Sequence, residues 1–190
     1  MIPFPNKKYN IIYADPPWTY KVWSGKGKEK KSAENHYNCM NIEDIKNLPI
    51  QNIADKDCTL FIWVTMPNLI EGIETINSWG FTYKTCAFSW IKKNKKSDSL
   101  FWGLGHWTRA NNEICLLASK GKPKRISKKV HQVVIDKIRE HSRKPDCVRH
   151  RIVELMGNLP RIELFAREKV NGWDSWGNEV EEETQMSLIK

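Results

Sequence analysis

Two adjacent prolines, Pro16 and Pro17, come directly after the first apolar run of the chain, Tyr9–Ala14, and Asp15. Proline supplies no main-chain donor and cannot continue a helix, so a buried strand that opens at Tyr9 has to leave its sheet at Asp15. Beyond this break, apolar runs alternate with helical spacing. Asn41 is placed to cap a helix over 42–48, a second strand is expected over 58–65, and helical spacing over 68–79 is closed by Gly80. Strands are expected over 82–91, 113–118, 130–135 and 161–166, with Pro145 opening a helix that runs to position 156. Strands alternating with helices predict an α/β fold with a mostly parallel, doubly wound sheet.

Three stretches break the alternation. Residues 19–37 form a long polar segment with Lys21, Lys26, Lys28, Lys30 and Lys31, expected to be a mobile loop with a function. Residues 92–112 are basic at their start and aromatic and glycine-bearing further on, and a third basic stretch covers 120–129. The end, 180–190, is acidic and expected to fray.

The chain has 190 residues, 40% of them hydrophobic, with nine tryptophans, enough for one substantial core. A single domain over 1–179 is therefore expected. No run approaches the roughly 18 apolar residues of a membrane span and the start lacks a secretory pattern, so a soluble, cytoplasmic protein is expected. Five widely spaced cysteines fit reduced core thiols better than a disulfide framework. Cys147-Val-Arg-His150 has no second Cys or His pair nearby, and no metal site is expected. The net charge of +9 favours a polyanionic partner, although lysine runs are also read as solvated loops.

In open α/β sheets the reactive crevice lies beyond the carboxyl ends of the strands, which is where Asp15-Pro16-Pro17-Trp18 falls. The prolines alone serve to break a strand; the aromatic residue after them is not needed for that. The exocyclic amine of adenine is a poor nucleophile because its lone pair is delocalised into the ring. A carboxylate accepting one amino hydrogen and a rigid carbonyl accepting the other would redirect that pair. Asp15 and the Pro16 carbonyl suit these roles, with Pro17 stiffening the turn. Trp18 is then expected to offer a face for a flipped base, worth about 1–3 kcal/mol.

These residues carry a resemblance. Asp15-Pro16-Pro17-Trp18, a lysine-rich loop ending in His36-Tyr37, Gly105-His106-Trp107-Thr108-Arg109 leading to Glu113, and Arg161 to Arg167 with the closing Gly172 to Glu179 resemble the MT-A70 family of adenine N6-methyltransferases. The resemblance implies a Rossmann-like methyltransferase fold in permuted order, with the catalytic strand before the donor-binding strand, and S-adenosyl-L-methionine as cofactor. It implies that Asp15 lies between donor and amine and that Lys144 borders the site. Glu163, Phe165, Arg167, Gly177 and Asn178 are expected around the donor. Trp18, His36, Tyr37, Arg109 and Glu113 are expected to meet the substrate.

Taken alone, Glu163 and Arg167 are as readily a strand-end ion pair, Phe165 a core residue, Asn178 a turn residue and Tyr37 a loop anchor. The glycine cluster of ordinary methyltransferases is absent. Eukaryotic members carry a strand before the motif that recognises the donor's adenine; here fourteen residues precede Asp15, and the adenine's partners are unassigned. The leading expectation is an enzyme acting on DNA. RNA is the alternative, and a silent nucleic-acid-binding subunit is the third. Homodimer and heterodimer are both open.

Overall fold

The computed structural model describes residues 3–19 and 40–180, apart from the side chain of His141. His36, Tyr37, the lysine-rich segment around them and the tail after Val180 lie outside the described residues. Seven strands run in chain order: β1 (Tyr9–Ala14), β2 (Ala54–Val64), β3 (Thr82–Lys93), β4 (Glu113–Lys120), β5 (Val133–Lys137), β6 (Arg161–Leu164) and β7 (Asp174–Trp176). Among the described residues α1 (Ile42–Lys46) lies between β1 and β2, α2 (Leu69–Ser78) between β2 and β3, and α3 (Cys147–Met156) between β5 and β6.

The strands form one sheet in the order β5-β3-β4-β2-β1-β6-β7. β1 lies parallel to both β2 and β6, β3 is parallel to β5, and β6 to β7. Only β4 runs against its neighbours, β2 and β3. The chain thus works outward from β1 through β2, then returns to lay β6 on the opposite side. That reversal makes the carboxyl ends of β1 and β6 the switch point where an open sheet leaves a crevice.

Double winding arises from the alternation of side chains along the central strands. On β1, Ile12 and Ala14 join one core cluster, with Ile45 and Leu48 at α1 and Ile76 and Trp79 at α2. Ile11 and Tyr13 face the other cluster, with Val148, Ile152 and Met156 of α3. β2 divides likewise, Leu60 and Ile62 to the first face, Phe61 and Trp63 to the second. Strands buried on both faces read as continuous apolar runs, which is why β1 and β2 are legible in the sequence. Buried indoles here keep an acceptor: Trp79 Nε1 donates to the Ile45 carbonyl at 2.9 Å and Trp63 Nε1 to Tyr13 Oη at 2.7 Å.

Element boundaries differ from the sequence expectation where the apolar signal is thin. β2 begins at Ala54 rather than 58, because its opening residues include the polar Asp55, Lys56 and Asp57. β5 is displaced to Val133–Lys137, and β6 stops at Leu164 because Phe165 turns into the left-handed region at φ 59°. β7 has no counterpart among the expected strands; three residues carry no usable periodicity. Asn41 caps α1 as expected, its side chain accepting from the Glu43 amide.

Gly72 sets the spacing between α2 and the sheet, since a Cβ there would stand 2.5 Å from Val64 Cγ1. Replacing an exposed helical glycine by alanine stabilises by about 1 kcal/mol. Gly72→Ala is expected to reverse that sign and destabilise by about 1–3 kcal/mol in chemical denaturation. Adding Val64→Ala should make the two changes less than additive. A gain in stability from Gly72→Ala alone would show that α2 shifts freely.

Candidate active site

Ala14 pairs with Ile62 of β2 on one side and Leu164 of β6 on the other, so Asp15 is the first residue past the sheet edge between them. The double proline then tightens the chain: the Trp18 amide donates to the Pro16 carbonyl at 2.8 Å, closing a three-residue turn. The Pro17 carbonyl accepts from the Met40 amide at 3.2 Å. The Pro16 oxygen keeps a second lone pair, so the turn occupies this acceptor without exhausting it.

Trp18 differs from expectation. Its ring is 6% exposed, lies in the first core cluster and donates from Nε1 to the Trp63 carbonyl at 2.8 Å. An indole with both its apolar surface buried and its N–H satisfied is held as core, and presents no open face to a base. It pins the turn to the end of β2.

Lys144 meets Asp15 from the loop before α3. Its Nζ lies 2.8 Å from Asp15 Oδ2 and 3.3 Å from Glu113 Oε2, and 5.7 Å from the Trp63 ring centroid. Lys92 holds the other oxygen of Glu113. Asp15, Lys144, Glu113 and Lys92 therefore form an alternating chain of charges, with the Lys144 side chain 11% and that of Asp15 21% exposed. Burial by itself lowers the Lys144 pKa, but the adjoining Asp15 and Glu113 carboxylates outweigh it and raise it above the ordinary lysine value. Burial likewise pushes Glu113 up, and Lys144 with Lys92 pulls it below the usual carboxylate range. Glu113 thus loses its contribution as pH falls through its depressed pKa, and Lys144 loses its own as pH rises through its raised one. Glu113 and Lys144 are therefore both ionised through neutral pH.

Beside this chain opens a cavity of about 660 Å³, with Asp15, Lys144 and Tyr13 at one side and Glu163, Phe165 and Arg167 from β6 and its continuation at another. Arg139, Arg143 and Arg149 complete the basic wall. Arg149 holds Glu163 through both oxygens, at 2.7 and 2.8 Å. So Glu163 does form an ion pair, but with α3 rather than with Arg167. Arg167 lies 3.9 Å from Glu179 Oε1. Phe165 packs edge-on to Trp176 with centroids 5.5 Å apart.

Gly177 and Asn178 are not among the lining residues. A Cβ on Gly177 would lie 2.4 Å from the Ala166 carbonyl oxygen, so this glycine lets the segment after β7 close over the end of β6. Asn178 is exposed. Arg109 is turned back on its own loop, donating from Nε to the Gly103 carbonyl and from Nη2 to that of Trp102. That loop is ordered internally, with Asn111 Nδ2 donating to the Lys92 and Phe101 carbonyls, and its tip leaves Trp107 93% exposed.

The cavity fits S-adenosylmethionine in size and in donor set. Its volume lies within the range of about 300–1,000 Å³ typical of small-ligand sites. Arg143 lines it with a buried Nε that has no hydrogen-bond partner, which suits a carboxylate, and Phe165 offers an apolar face. Sequence reasoning missed Arg149 and Lys92. The first was legible: positions 149, 152 and 156 share one helical stripe, so an arginine there needs a buried partner. Lys92, at the end of a strand, gave no signal. Among the described residues, no group of three His, Cys, Asp or Glu side chains is arranged to hold a metal, and no helix is long and apolar enough to cross a membrane.

Comparison with known proteins agrees with this architecture. The MT-A70 family pattern matches residues 9–179. The chain is 35% identical over 192 residues to the type II methyltransferase M.MunI of Mycoplasma sp, covering 93% of this chain and 79% of that protein. It is 29% identical over 178 residues to the human N(6)-adenosine-methyltransferase catalytic subunit METTL3, covering 92% of this chain and 28% of that protein. An Arabidopsis thaliana N(6)-adenosine-methyltransferase MT-A70-like protein is also 29% identical, over 176 residues, 90% of this chain and 24% of its own length. The chain thus spans about a quarter of the plant and human relatives. With its permuted Rossmann-like sheet and a match over nearly its whole length, the chain belongs to the MT-A70 family of S-adenosylmethionine-dependent methyltransferases.

Proposed function

We propose that this methyltransferase acts on the N6 amino group of adenine in DNA, with Asp15 as the catalytic carboxylate. The observation that carries this reading is the state of Asp15. Lys144 fixes Oδ2 at 2.8 Å, and Oδ1 takes no partner among the described residues. The carboxylate is thereby oriented, with one oxygen left for an incoming amine. The Pro16 carbonyl, held rigid by its turn, keeps one lone pair for the second amino hydrogen.

Accepting both hydrogens draws the amine out of conjugation and aims its lone pair away from the two acceptors. S-adenosylmethionine, when bound, supplies a methyl group on a sulfonium that leaves readily, so in-line placement is the main requirement and is worth about 7–11 kcal/mol. The proton that N6 must shed has Asp15 Oδ1 as its first acceptor and solvent as its last. Lys144 holds Asp15 Oδ2 in place between turnovers. The buried Trp18 acts from behind by fixing the turn.

DNA is favoured over RNA by coverage. The relative named a type II methyltransferase is matched over 79% of its length, whereas the named adenosine-methyltransferases of human and Arabidopsis are matched over 28% and 24%. The net charge of +9 suits either polyanion. Methyl transfer from tritiated donor to duplex DNA, single-stranded DNA and RNA in parallel tests the choice. Labelled N6-methyladenine in DNA is expected; labelling of RNA with none of DNA would replace the substrate.

Asp15→Ala is expected to lower turnover about 100-fold or more while nucleic-acid affinity stays within about twofold. Activity above a tenth of wild type in single-turnover assays would remove Asp15 from the reaction centre.

A further inference from the structure

Asp146 lies outside the cavity wall, yet three arginines of that wall converge on it. Its Oδ2 accepts from Arg139 Nη1 at 2.6 Å and its Oδ1 from Arg149 Nη1 at 2.9 Å, and Arg143 Nη2 stands 3.5 Å from Oδ1. Each arginine has a second partner. Arg139 Nη2 donates to the main-chain carbonyl of Lys144, Arg149 grips both oxygens of Glu163, and Arg143 pairs with Glu168. Those partners belong to different parts of the chain: the loop before α3, strand β6, and the segment after β6. One carboxylate thus ties the lysine that faces Asp15 to the strand across the cavity.

The position of Asp146 suggests a simpler task, that of capping α3. Its side chain makes no capping hydrogen bond to the helix, so the carboxylate is given wholly to the arginines. The loop it steadies has need of an external tie. Ser142 sits in the left-handed region at φ 53°, and the backbone on either side of Lys144 is tied only locally, the Arg143 amide donating to the Glu140 carbonyl and the Pro145 carbonyl accepting from the Val148 amide, both at 3.1 Å. Lys144 in turn has to meet both Asp15 and Glu113 within 3.3 Å while almost fully buried. A displacement of about 1 Å in such a constellation costs up to about 100-fold in rate.

We propose that Asp146 is a positioning residue of the methyltransferase: through Arg139 it sets Lys144 against Asp15, and through Arg149 it orients Glu163 in the donor cavity. It touches neither reactant nor donor. The proposal rests on the cavity being the donor site, and predicts that one substitution disturbs both ends of it. Arg139 also pulls the Asp146 carboxyl below its ordinary range against the opposing effect of burial, consistent with a charge held by its partners.

The test compares Asp146→Asn, which keeps the shape and removes the charge, with Asp146→Glu, which keeps the charge on a longer stem. Binding of S-adenosylhomocysteine by calorimetry without nucleic acid, the pH profile of kcat, and thermal unfolding are measured for each. Asp146→Asn is expected to weaken S-adenosylhomocysteine binding about tenfold. Its alkaline limb is expected to shift to lower pH, because a Lys144 drawn away from Asp15 and Glu113 loses the carboxylates that hold its pKa up. Asp146→Glu should recover part of both effects. If Asp146→Asn fails to fold, a weaker shift of both quantities in Asp146→Glu carries the test. Wild-type binding and a wild-type alkaline limb, with or without a lower Tm, would overturn the proposal and leave Asp146 a purely structural residue. Failure of the wild-type protein to bind S-adenosylhomocysteine would instead overturn the donor-site reading itself.

Discussion

The ion pair between Asp15 and Lys144 is the constraint around which the site is arranged. Both side chains are largely withdrawn from water, and neither is tolerable there alone: stranding one member of a buried pair costs about 3–5 kcal/mol. Glu113 and Lys92 extend the pair into a neutralised chain, so the buried ammonium is shared by two carboxylates. Such an arrangement contributes little net stability over an apolar equivalent. Its value lies in orientation. A carboxylate with one oxygen fixed and the other open presents a single acceptor in a defined direction.

The sheet topology explains why this pair forms where it does. β1 is flanked on both sides by parallel partners, so its last residue emerges into the gap between β2 and β6 at the point where the winding reverses. Tryptophans buttress the gap from beneath, Trp18 hydrogen-bonded to the end of β2 and Trp63 to Tyr13 on β1. The loop before α3 then delivers Lys144 toward Asp15, and the first turn of the helix delivers Arg149 toward Glu163. The Asp15 end of the cavity and its Glu163 wall are thus set by adjacent stretches of a single helix and its entry loop.

Much of this was written in the sequence, and for a physical reason. Strands buried on both faces leave long apolar runs, and prolines leave no ambiguity about where β1 ends, so the sheet core and the place of Asp15 could be read directly. Lys144 and Phe165 were reached through family resemblance, and both line the cavity. Side chains whose partners are far away in sequence could not be read. Trp18 has the composition of a stacking platform, but its fate depends on an acceptor 45 residues on. Glu163, expected at the donor and as readily paired with the nearby Arg167, is reached by an arginine from α3. Gly177 is expected to permit close approach of a backbone, and the backbone that approaches it is that of Ala166. His36 and Tyr37 lie outside the described residues.

A crystal structure with S-adenosylhomocysteine and a short DNA duplex containing the target adenine addresses the central claim most directly. The thioether sulfur is expected in the cavity bounded by Asp15 and Phe165, and the adenine N6 about 2.6–3.2 Å from Asp15 Oδ1. A donor product seated elsewhere, such as the second cavity between β3, β4 and Arg125, with Asp15 bound to Lys144 alone, would contradict that arrangement.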